Sequence, residues 1–267
     1  MYAKKSLGQN FLQHPHIADS LIDSIDIKEG ESVLEIGPGT GVLTKQLLLR
    51  GARVIAIEKD DRAIPLLSTT FAEAIENGTL RIVHGDALLY SPLDLGLTAP
   101  YKIAANIPYY ITGALLEHAL TEGLPPTDMA VLVQKEVAIR IARSKKESIL
   151  SLSIKVFGTP GYVKTVARGN FHPVPGVDSA ILAIKNISHK NLEGIGEKAF
   201  FTILKAGFAE KRMMLAKNLT RVAPQEQIVE AMKVSNILPK TRAEDVPLQK
   251  WVLLSQKLTP FLHGNTI

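Results

Sequence analysis

Closely spaced glycines follow the first strongly apolar segment of the chain, at residues 35–41 (EIGPGTG). Glycines in a turn that leads from a strand into a helix let the backbone approach a ligand closely, and the helix N-terminus favours an anionic group. A dinucleotide-binding loop would require glycine at position 42, where the chain has Val42. The spacing of Gly37, Gly39 and Gly41 therefore favours a loop that binds S-adenosylmethionine. A tight strand–helix turn without a ligand would use similar residues.

Two acidic residues stand where the next two predicted strands end. Glu58 lies 21 positions after Gly37, where a carboxylate can accept hydrogen bonds from both ribose hydroxyls of a nucleoside. Asp86, in the segment HGDAL, can accept a hydrogen bond from the exocyclic amine of adenine. Either acid alone would more often be a helix cap or a solvated side chain, and NAD would also favour an acid at Glu58. Together with the glycine loop, the two acids predict a nucleoside-cofactor site.

The segment Asn106-Ile107-Pro108-Tyr109 follows the fourth predicted strand and resembles the N-[IL]-P-[YF] motif of RNA adenine N6-methyltransferases. The adenine amine is a poor nucleophile because its lone pair is delocalised into the ring. The side-chain carbonyl of Asn106 and a backbone carbonyl near Pro108 can accept hydrogen bonds from that amine and favour a pyramidal nitrogen. Tyr109 offers a face on which an extruded base can stack. Positioning matters more than a strong base, because the methyl donor is already activated.

Further segments match the same family, and they are 6–12 (SLGQNFL), 170–179 (NFHPVPGVDS), 208–219 (FAEKRMMLAKNL) and 242–245 (RAED). With them the chain resembles, over nearly its whole length, the small-subunit (16S) ribosomal RNA adenine N6,N6-dimethyltransferases. The resemblance implies that Asn10 and the Leu12 backbone lie against the methionine end of the donor, with Asn106 close by. It also implies that Phe171 covers the face of the target base opposite Tyr109.

This family dimethylates two adjacent adenosines in a hairpin near the 3′ end of small-subunit ribosomal RNA. The resemblance therefore implies four methyl transfers per substrate, an immature small ribosomal subunit as partner, and a role in ribosome biogenesis. Lys211 and Met213 depart from the family pattern, since they replace an arginine and a lysine of a basic triplet. The departure weakens one expected phosphate contact and leaves the chemistry unchanged.

Three other functions are compatible with parts of the pattern. The large-subunit RNA methyltransferases that confer macrolide resistance share the pocket motifs, and only the segments 208–219 and 242–245 favour the small-subunit class. A non-catalytic assembly factor would be free to lose either the glycine loop or the Asn106 segment, and both are intact. An NAD-dependent oxidoreductase is disfavoured by Val42.

The elements that must position these residues are short apolar runs alternating with helical patterns. The predicted strands are 32–36, 53–57, 80–84, 101–105, 129–133, 161–166 and 179–184. The predicted helices of the same region are 42–50, 60–76 and 112–121, with Asp60 and Thr112 as N-caps. Strand–helix alternation predicts a doubly wound α/β fold. Given the resemblance, we expect a Rossmann-like class I S-adenosylmethionine-dependent methyltransferase sheet of seven strands with the last pair antiparallel.

Charge divides the chain after Ile187. Residues 1–187 carry 19 basic and 19 acidic side chains, whereas residues 188–267 carry 12 basic against 7 acidic, which accounts for the net charge of +5. The second region has helical periodicity over 198–206, 212–221, 224–233 and 247–258. We therefore predict a methyltransferase domain at 1–187 and a small, basic α-helical domain at 188–267 that docks on RNA.

The candidates for phosphate contact are Lys4, Lys5, Arg140, Arg143, Lys145, Lys146, Lys211, Arg212, Lys217 and Arg221. The absence of cysteine excludes disulfides, thiolate metal sites and a cysteine nucleophile, and the seven histidines show no metal-ligand spacing. No apolar run approaches the ~18 to 20 residues that cross a bilayer, and the N-terminal segment lacks the apolar core of a secretory signal. We expect a monomeric cytoplasmic protein without a metal.

Overall fold

The computed structural model describes residues 8–98 and 100–262, which form two compact units. The first comprises the described residues up to Ile139 together with Thr159–Ile187. The second comprises Arg140–Gly158 together with the described residues from Ser188 onward. These units differ from the predicted domains in the placement of residues 140–158. The division of labour between a methyltransferase domain and an RNA-docking domain stays a prediction.

The strands of the described residues are β1 (Phe11–Leu12), β2 (Ser32–Ile36), β3 (Arg53–Glu58), β4 (Leu80–His84), β5 (Tyr101–Asn106), β6 (Asp128–Gln134), β7 (Thr159–Val166), β8 (Phe171–His172) and β9 (Ser179–Lys185). Seven of them form one sheet in the order β4-β3-β2-β5-β6-β9-β7. The strands β2 to β6 are parallel, and β9 runs antiparallel to both β6 and β7. The predicted sheet, with its last pair antiparallel, is confirmed.

The strand order reverses between β2 and β5, which lie side by side in the sheet. In a doubly wound sheet, ligands bind beyond the carboxyl ends of the strands at this switch point. The glycine loop follows β2 and the Asn106 segment closes β5, so the topology brings both predicted motifs to the place where a ligand is expected. The strands β1 and β8, which the sequence pattern did not predict, form a separate antiparallel pair in which Leu12 lies opposite Phe171.

The helices are α1 (Pro15–Ser24), α2 (Val42–Leu49), α3 (Ala63–Thr70), α4 (Ala72–Glu76), α5 (Thr112–Thr121), α6 (Lys135–Ala142), α7 (Ile149–Lys155), α8 (Glu197–Gly207), α9 (Leu215–Leu219), α10 (Gln225–Val234) and α11 (Leu248–Leu258). The predicted helix 60–76 is two helices, because the backbone breaks at Phe71. Both predicted N-caps were wrong. Asp60 instead binds the backbone and guanidinium of Arg62 in the turn before α3. A 3-10 turn at Tyr109–Ile111 leads directly into α5, so Thr112 is already helical.

The core of the first unit consists of the central strands and the helices that cover them. β5 and β6 are almost entirely buried, which explains why their sequences are mostly apolar. The charged side chain within β5, Lys102, forms an ion pair with Glu31. Helix α1 packs its buried face, which includes Ile17, Leu21 and Ile22, into the same cluster as Leu12 and Phe171. The short β1–β8 pair is thereby fixed against the body of the unit.

In the second unit, the predicted family segment 208–219 has a clear structural role. The ring of Phe208 stacks on Trp251 with centroids 5.7 Å apart. The side-chain amide of Asn218 donates hydrogen bonds to the carbonyls of Gly207 at 2.7 Å and Glu210 at 3.1 Å. These bonds fix the chain as it leaves α8, so Lys211 and Arg212 project from a turn whose ends are tied down.

Candidate active site

All the predicted site residues line one open cleft of about 970 Å³ in the first unit. They are Asn10, Leu12, Gly37, Gly39, Glu58, Asp86, Asn106, Pro108, Tyr109 and Phe171. The cleft lies beyond the carboxyl ends of β2, β3, β4 and β5, where their motifs follow the strands. Residues distant in sequence are therefore brought together around one ligand-sized space.

The glycine loop is held by the carboxylate of Glu58. The backbone N–H of Gly39 donates to Oε2 at 3.0 Å, and the backbone N–H of Asp60 donates to Oε1 at 2.8 Å. Glu58 is 6% exposed, and burial raises its pKa while these backbone donors favour the ionised form. Each carboxylate oxygen has a second lone pair, so Glu58 can still accept hydrogen bonds from two hydroxyls in the cleft.

Gly39 itself has a left-handed backbone, with φ of +57°. A Cβ at this position would lie 2.9 Å from Cδ1 of Phe11, which is closer than real Cβ contacts allow. The loop therefore needs glycine both for its conformation and for its approach to the segment that includes Asn10. The glycine loop, together with Glu58 and Asp86, has the donors and acceptors that a nucleoside such as that of S-adenosylmethionine requires.

Asp86 begins the short turn after β4. Its Oδ1 accepts the backbone N–H of Leu88 at 3.1 Å, and its Oδ2 accepts Lys59 Nζ at 2.6 Å. The Lys59 ammonium holds the pKa of Asp86 below its usual range, so this carboxylate is ionised at neutral pH and available as an acceptor. Lys59 lines the same cleft and was not predicted as a site residue.

Asn106 closes β5 and is linked to the N-terminal segment. Its Nδ2 donates a hydrogen bond to the backbone carbonyl of Asn10 at 3.0 Å. The side chain of Asn10 in turn donates to the carbonyl of Gly8 at 3.2 Å. Since one hydrogen of the Asn106 amide is used in this way, the amide has a fixed orientation and its carbonyl oxygen is the acceptor side.

Two aromatic residues of the prediction lie in the cleft in different environments. The Tyr109 hydroxyl is 2.7 Å from the Ser179 hydroxyl, and burial raises the pKa of Tyr109, so the phenol is neutral. Phe171 is only 3% exposed and packs into the core beside Leu12. Both side chains are thus held in place, Tyr109 by a hydrogen bond and Phe171 by packing.

A sequence profile described as "Ribosomal RNA adenine dimethylase" matches residues 1–259. The chain belongs to this family. Two curated members are similar over nearly the whole chain. A "Ribosomal RNA small subunit methyltransferase A" of Dehalococcoides mccartyi is 40% identical over 253 residues, covering 93% of this chain and 86% of the relative. The protein of the same name from Geobacillus thermodenitrificans is 36% identical over 273 residues, covering 97% of this chain and 92% of the relative.

Two solved structures resemble this dimethylase-family chain in fold. A dimethyladenosine transferase from Plasmodium falciparum superposes with a TM-score of 0.78 at 23% identity, covering 94% of this chain and 99% of that one. The 23S rRNA methyltransferase ErmE superposes with a TM-score of 0.73, also at 23% identity, covering 93% and 99%. The fold is therefore that of class I methyltransferases, as expected, and the chain is an enzyme of the dimethylase family.

Several residues that shape the cleft of this dimethylase-family chain were missed at the level of sequence. Gln9 Nε2 donates to Asp60 Oδ2 at 2.8 Å, and the Arg62 guanidinium holds the pKa of Asp60 well below its usual range. Ser179, whose hydroxyl bonds that of Tyr109, is the last residue of the predicted segment 170–179. A serine at this position does not by itself indicate a tyrosine partner. Tyr110 lines the cleft and is 62% exposed. Its position directly after the Asn106-Ile107-Pro108-Tyr109 segment could have identified it as a cleft residue.

The predicted phosphate-contact residues from Arg140 onward are all exposed, whereas Lys4 and Lys5 lie outside the described residues. Some have acidic partners. Lys146 forms an ion pair with Glu244, and Arg221 lies 3.3 Å from Glu210. Because the basic member of each pair is exposed to solvent, these pairs are weak, and they reduce but do not remove the capacity of the basic side chains to bind phosphate.

Two absences concern only the part of the chain that the structure describes. Within residues 8–98 and 100–262, no three His, Asp or Glu side chains are grouped so that they could hold a metal ion. Among the same residues, no helix has the length and apolar character needed to span a bilayer. The expectation that the enzyme uses no metal stays a prediction.

Proposed function

We propose that the enzyme transfers methyl groups from S-adenosylmethionine to N6 of two adjacent adenosines in a hairpin near the 3′ end of small-subunit ribosomal RNA. The family membership and the names of the curated relatives support this target. The observation that carries the chemistry is the Asn106 amide, whose orientation is fixed by the Asn10 carbonyl at the edge of a cleft lined by Glu58 and Asp86.

The acids and the glycine loop form the part of the cleft that binds S-adenosylmethionine. Glu58 accepts the ribose hydroxyls, Asp86 accepts the adenine amine, and Gly37 and Gly39 allow close approach of the backbone. Asn10 and the Leu12 backbone lie against the methionine end, where Asn106 also makes contact. When bound, S-adenosylmethionine supplies an electrophilic methyl group on its sulfonium. The roles of these residues rest on their shared cleft and on the fit of their donors and acceptors.

The acceptor side depends on hydrogen bonds to the target amine. The Asn106 carbonyl accepts one N6 hydrogen. The Pro108 carbonyl already accepts the N–H of Ile111 at 3.2 Å, which makes the carbonyl of Ile107 the better backbone acceptor for the amine. With these bonds the nitrogen lone pair is directed at the methyl group, the new N–C bond forms as the C–S bond breaks, and the nitrogen then loses one proton to solvent.

The target base is held by aromatic side chains. Tyr109, fixed by Ser179, stacks on one face of the extruded adenine, and Phe171 closes the other side. Stacking on such a platform contributes ~1 to 3 kcal/mol per base. Because Phe171 is almost fully buried, its contribution is a fixed wall that limits how deep the base can enter.

The exposed basic side chains of residues 140–146 and 211–221 supply contacts to the RNA phosphates of an immature small ribosomal subunit. Such contacts position the substrate and carry no sequence information. On this proposal the enzyme acts in the cytoplasm, where ribosomal subunits are assembled, and works as a monomer without a metal.

The test is transfer of labelled methyl groups from S-adenosylmethionine to immature small subunits, with large subunits and bare RNA in parallel. Digestion and mass analysis of the nucleosides identify the product. We expect dimethyladenosine only in small-subunit RNA. Label in large-subunit RNA would move the enzyme to the macrolide-resistance class. Donor binding without any label would instead support a non-catalytic assembly factor.

A further inference from the structure

The loop that carries Asp86 is held by a residue of helix α5. His118 Nε2 lies 3.0 Å from the backbone carbonyl of Tyr90. A carbonyl can only accept, so Nε2 carries the hydrogen in this bond. α5 follows the Asn106-Ile107-Pro108-Tyr109 segment after one 3-10 turn. The helix that is continuous with the reacting segment thus also reaches the loop on the donor side of the cleft.

Tyr90 is coupled to Asp86 by its contact with Gly85, the residue that precedes Asp86. A Cβ placed on Gly85 would lie 2.5 Å from Cε2 of Tyr90, so the tyrosine ring rests directly against the glycine backbone. Gly85 and Asp86 both line the donor cleft. A shift of Tyr90 therefore moves the backbone from which the Asp86 carboxylate projects.

A second, smaller cavity with a mostly apolar lining lies beneath this loop, and Tyr90 and His118 are in its wall. Ile36, Ile57 and Ala87 line both this cavity and the donor cleft. Because apolar contacts are not directional, the His118 hydrogen bond is what fixes the position of the Tyr90 carbonyl relative to α5.

We propose that His118 is a positioning residue that sets the Asp86 carboxylate for recognition of the adenine amine of the donor. The proposal rests on the role of Asp86 given under the proposed function. His118 does not touch the donor itself, since it does not line the donor cleft. Its effect is therefore on which nucleobase the cleft accepts, and not on the methyl transfer.

The experiment compares two variants of His118. His118→Leu removes the N–H group that donates to the Tyr90 carbonyl, whereas His118→Gln keeps an N–H at a similar distance from the backbone. Calorimetry measures Kd for S-adenosylhomocysteine and for S-inosylhomocysteine, in which an oxygen replaces the 6-amino group. Glu117→Ala, an exposed change on the same helix, is the matched control. Asp86→Asn tests the underlying role of Asp86. Turnover at saturating donor and thermal melting are recorded for each variant.

We expect the unchanged enzyme to prefer the adenine ligand by about tenfold or more, as a charged hydrogen bond implies. His118→Leu should reduce this preference several-fold while turnover at saturating donor stays within about twofold, and His118→Gln should retain most of the preference. An unchanged preference in His118→Leu, with a reduced one in Asp86→Asn, would overturn this proposal alone. An unchanged preference in Asp86→Asn would overturn the role of Asp86 and this proposal with it.

Discussion

The side-chain amide of Asn106 donates a hydrogen bond to the backbone carbonyl of Asn10 at 3.0 Å, across 96 positions of sequence. The bond joins the end of β5 to the N-terminal segment that lines the cleft. Because Nδ2 of Asn106 donates to Asn10, the Oδ1 atom of Asn106 remains as the acceptor in the cleft. An amine in the cleft therefore meets the Asn106 carbonyl in a fixed orientation, which is the condition for aiming its lone pair.

Replacing Asn106 by alanine should abolish most turnover and leave donor binding largely intact. The amine loses a preorganised acceptor, and loss of one such hydrogen bond typically lowers turnover by about 100-fold or more. Donor affinity should fall far less than turnover, because Glu58 and Asp86 are untouched and only the contact of Asn106 at the methionine end is lost. Methyl-transfer kinetics and calorimetry with S-adenosylhomocysteine measure the two effects. A loss of donor affinity as large as the loss of turnover would refute this division of roles.

Gly39→Ala should damage the donor site, and Gly30→Ala provides the matched control. Both glycines have positive φ, +57° and +79°, but only at Gly39 would a Cβ meet another side chain, that of Phe11. Gly30→Ala should cost about 1 kcal/mol of unfolding free energy from backbone strain and leave donor affinity unchanged. Gly39→Ala should lower donor affinity about tenfold or more as well, because the loop must move away from Phe11. Equal donor affinity in the two variants would contradict this expectation.

The sheet was predictable because buried parallel strands are mostly apolar runs, and β6 is the clearest example. The pair formed by β1 and β8 was not, since two-residue strands have no periodicity and their partners are far apart in sequence. The break at Phe71 was hidden because apolar spacing continues across it.

The site shows the same distinction between local and long-range information. Glu58, Asp86 and Asn106 were found because each stands at or just after the end of a strand, and the carboxyl ends of parallel strands meet at one edge. The bonds from Gln9 to Asp60 and from Tyr109 to Ser179 depend on loops that fold back over this edge. No local pattern encodes such pairs, so they became visible only in three dimensions.

Glu35, beneath the glycine loop, should make the stability of the enzyme depend on pH. Its side chain is fully buried, and burial raises its pKa from 4.5 to about 8. Between these values the folded chain retains a proton that the unfolded chain has lost. The free energy of unfolding therefore falls as pH rises through this window, by up to about 1.4 kcal/mol per pH unit. Above pH 8 no further loss from this group is expected.

Glu35→Gln removes the titration and should flatten this dependence. Relative to the unchanged enzyme, the variant should gain at least about 2 kcal/mol between pH 5 and pH 8 in urea unfolding. Glu76→Gln, a change at an exposed glutamate, is the control and should follow the unchanged enzyme at every pH. Parallel stability curves for Glu35→Gln and the unchanged enzyme would show that Glu35 is ionised across the range.

Removal of the charges of Lys211 and Arg212 should weaken binding to immature small subunits in a salt-dependent way. Both side chains are exposed on the turn fixed by Asn218. Each lost phosphate contact should reduce the slope of log affinity against log salt by about 0.7 to 0.9. The double alanine variant is compared with Lys233→Ala, an exposed lysine outside the predicted clusters. Equal slopes in the two variants would remove this turn from the RNA interface.

Tyr109 should act through its ring more than through its hydroxyl. Tyr109→Phe keeps the stacking face and loses only the bond to Ser179, so kcat/KM should fall by less than about tenfold. Tyr109→Ala loses the platform, and ~1 to 3 kcal/mol of stacking corresponds to about 5- to 150-fold in kcat/KM for RNA. Ser179→Ala should reproduce the phenylalanine variant, because it frees the same hydroxyl. If the phenylalanine variant were as impaired as the alanine variant, the hydroxyl and not the ring would be the group that the reaction requires.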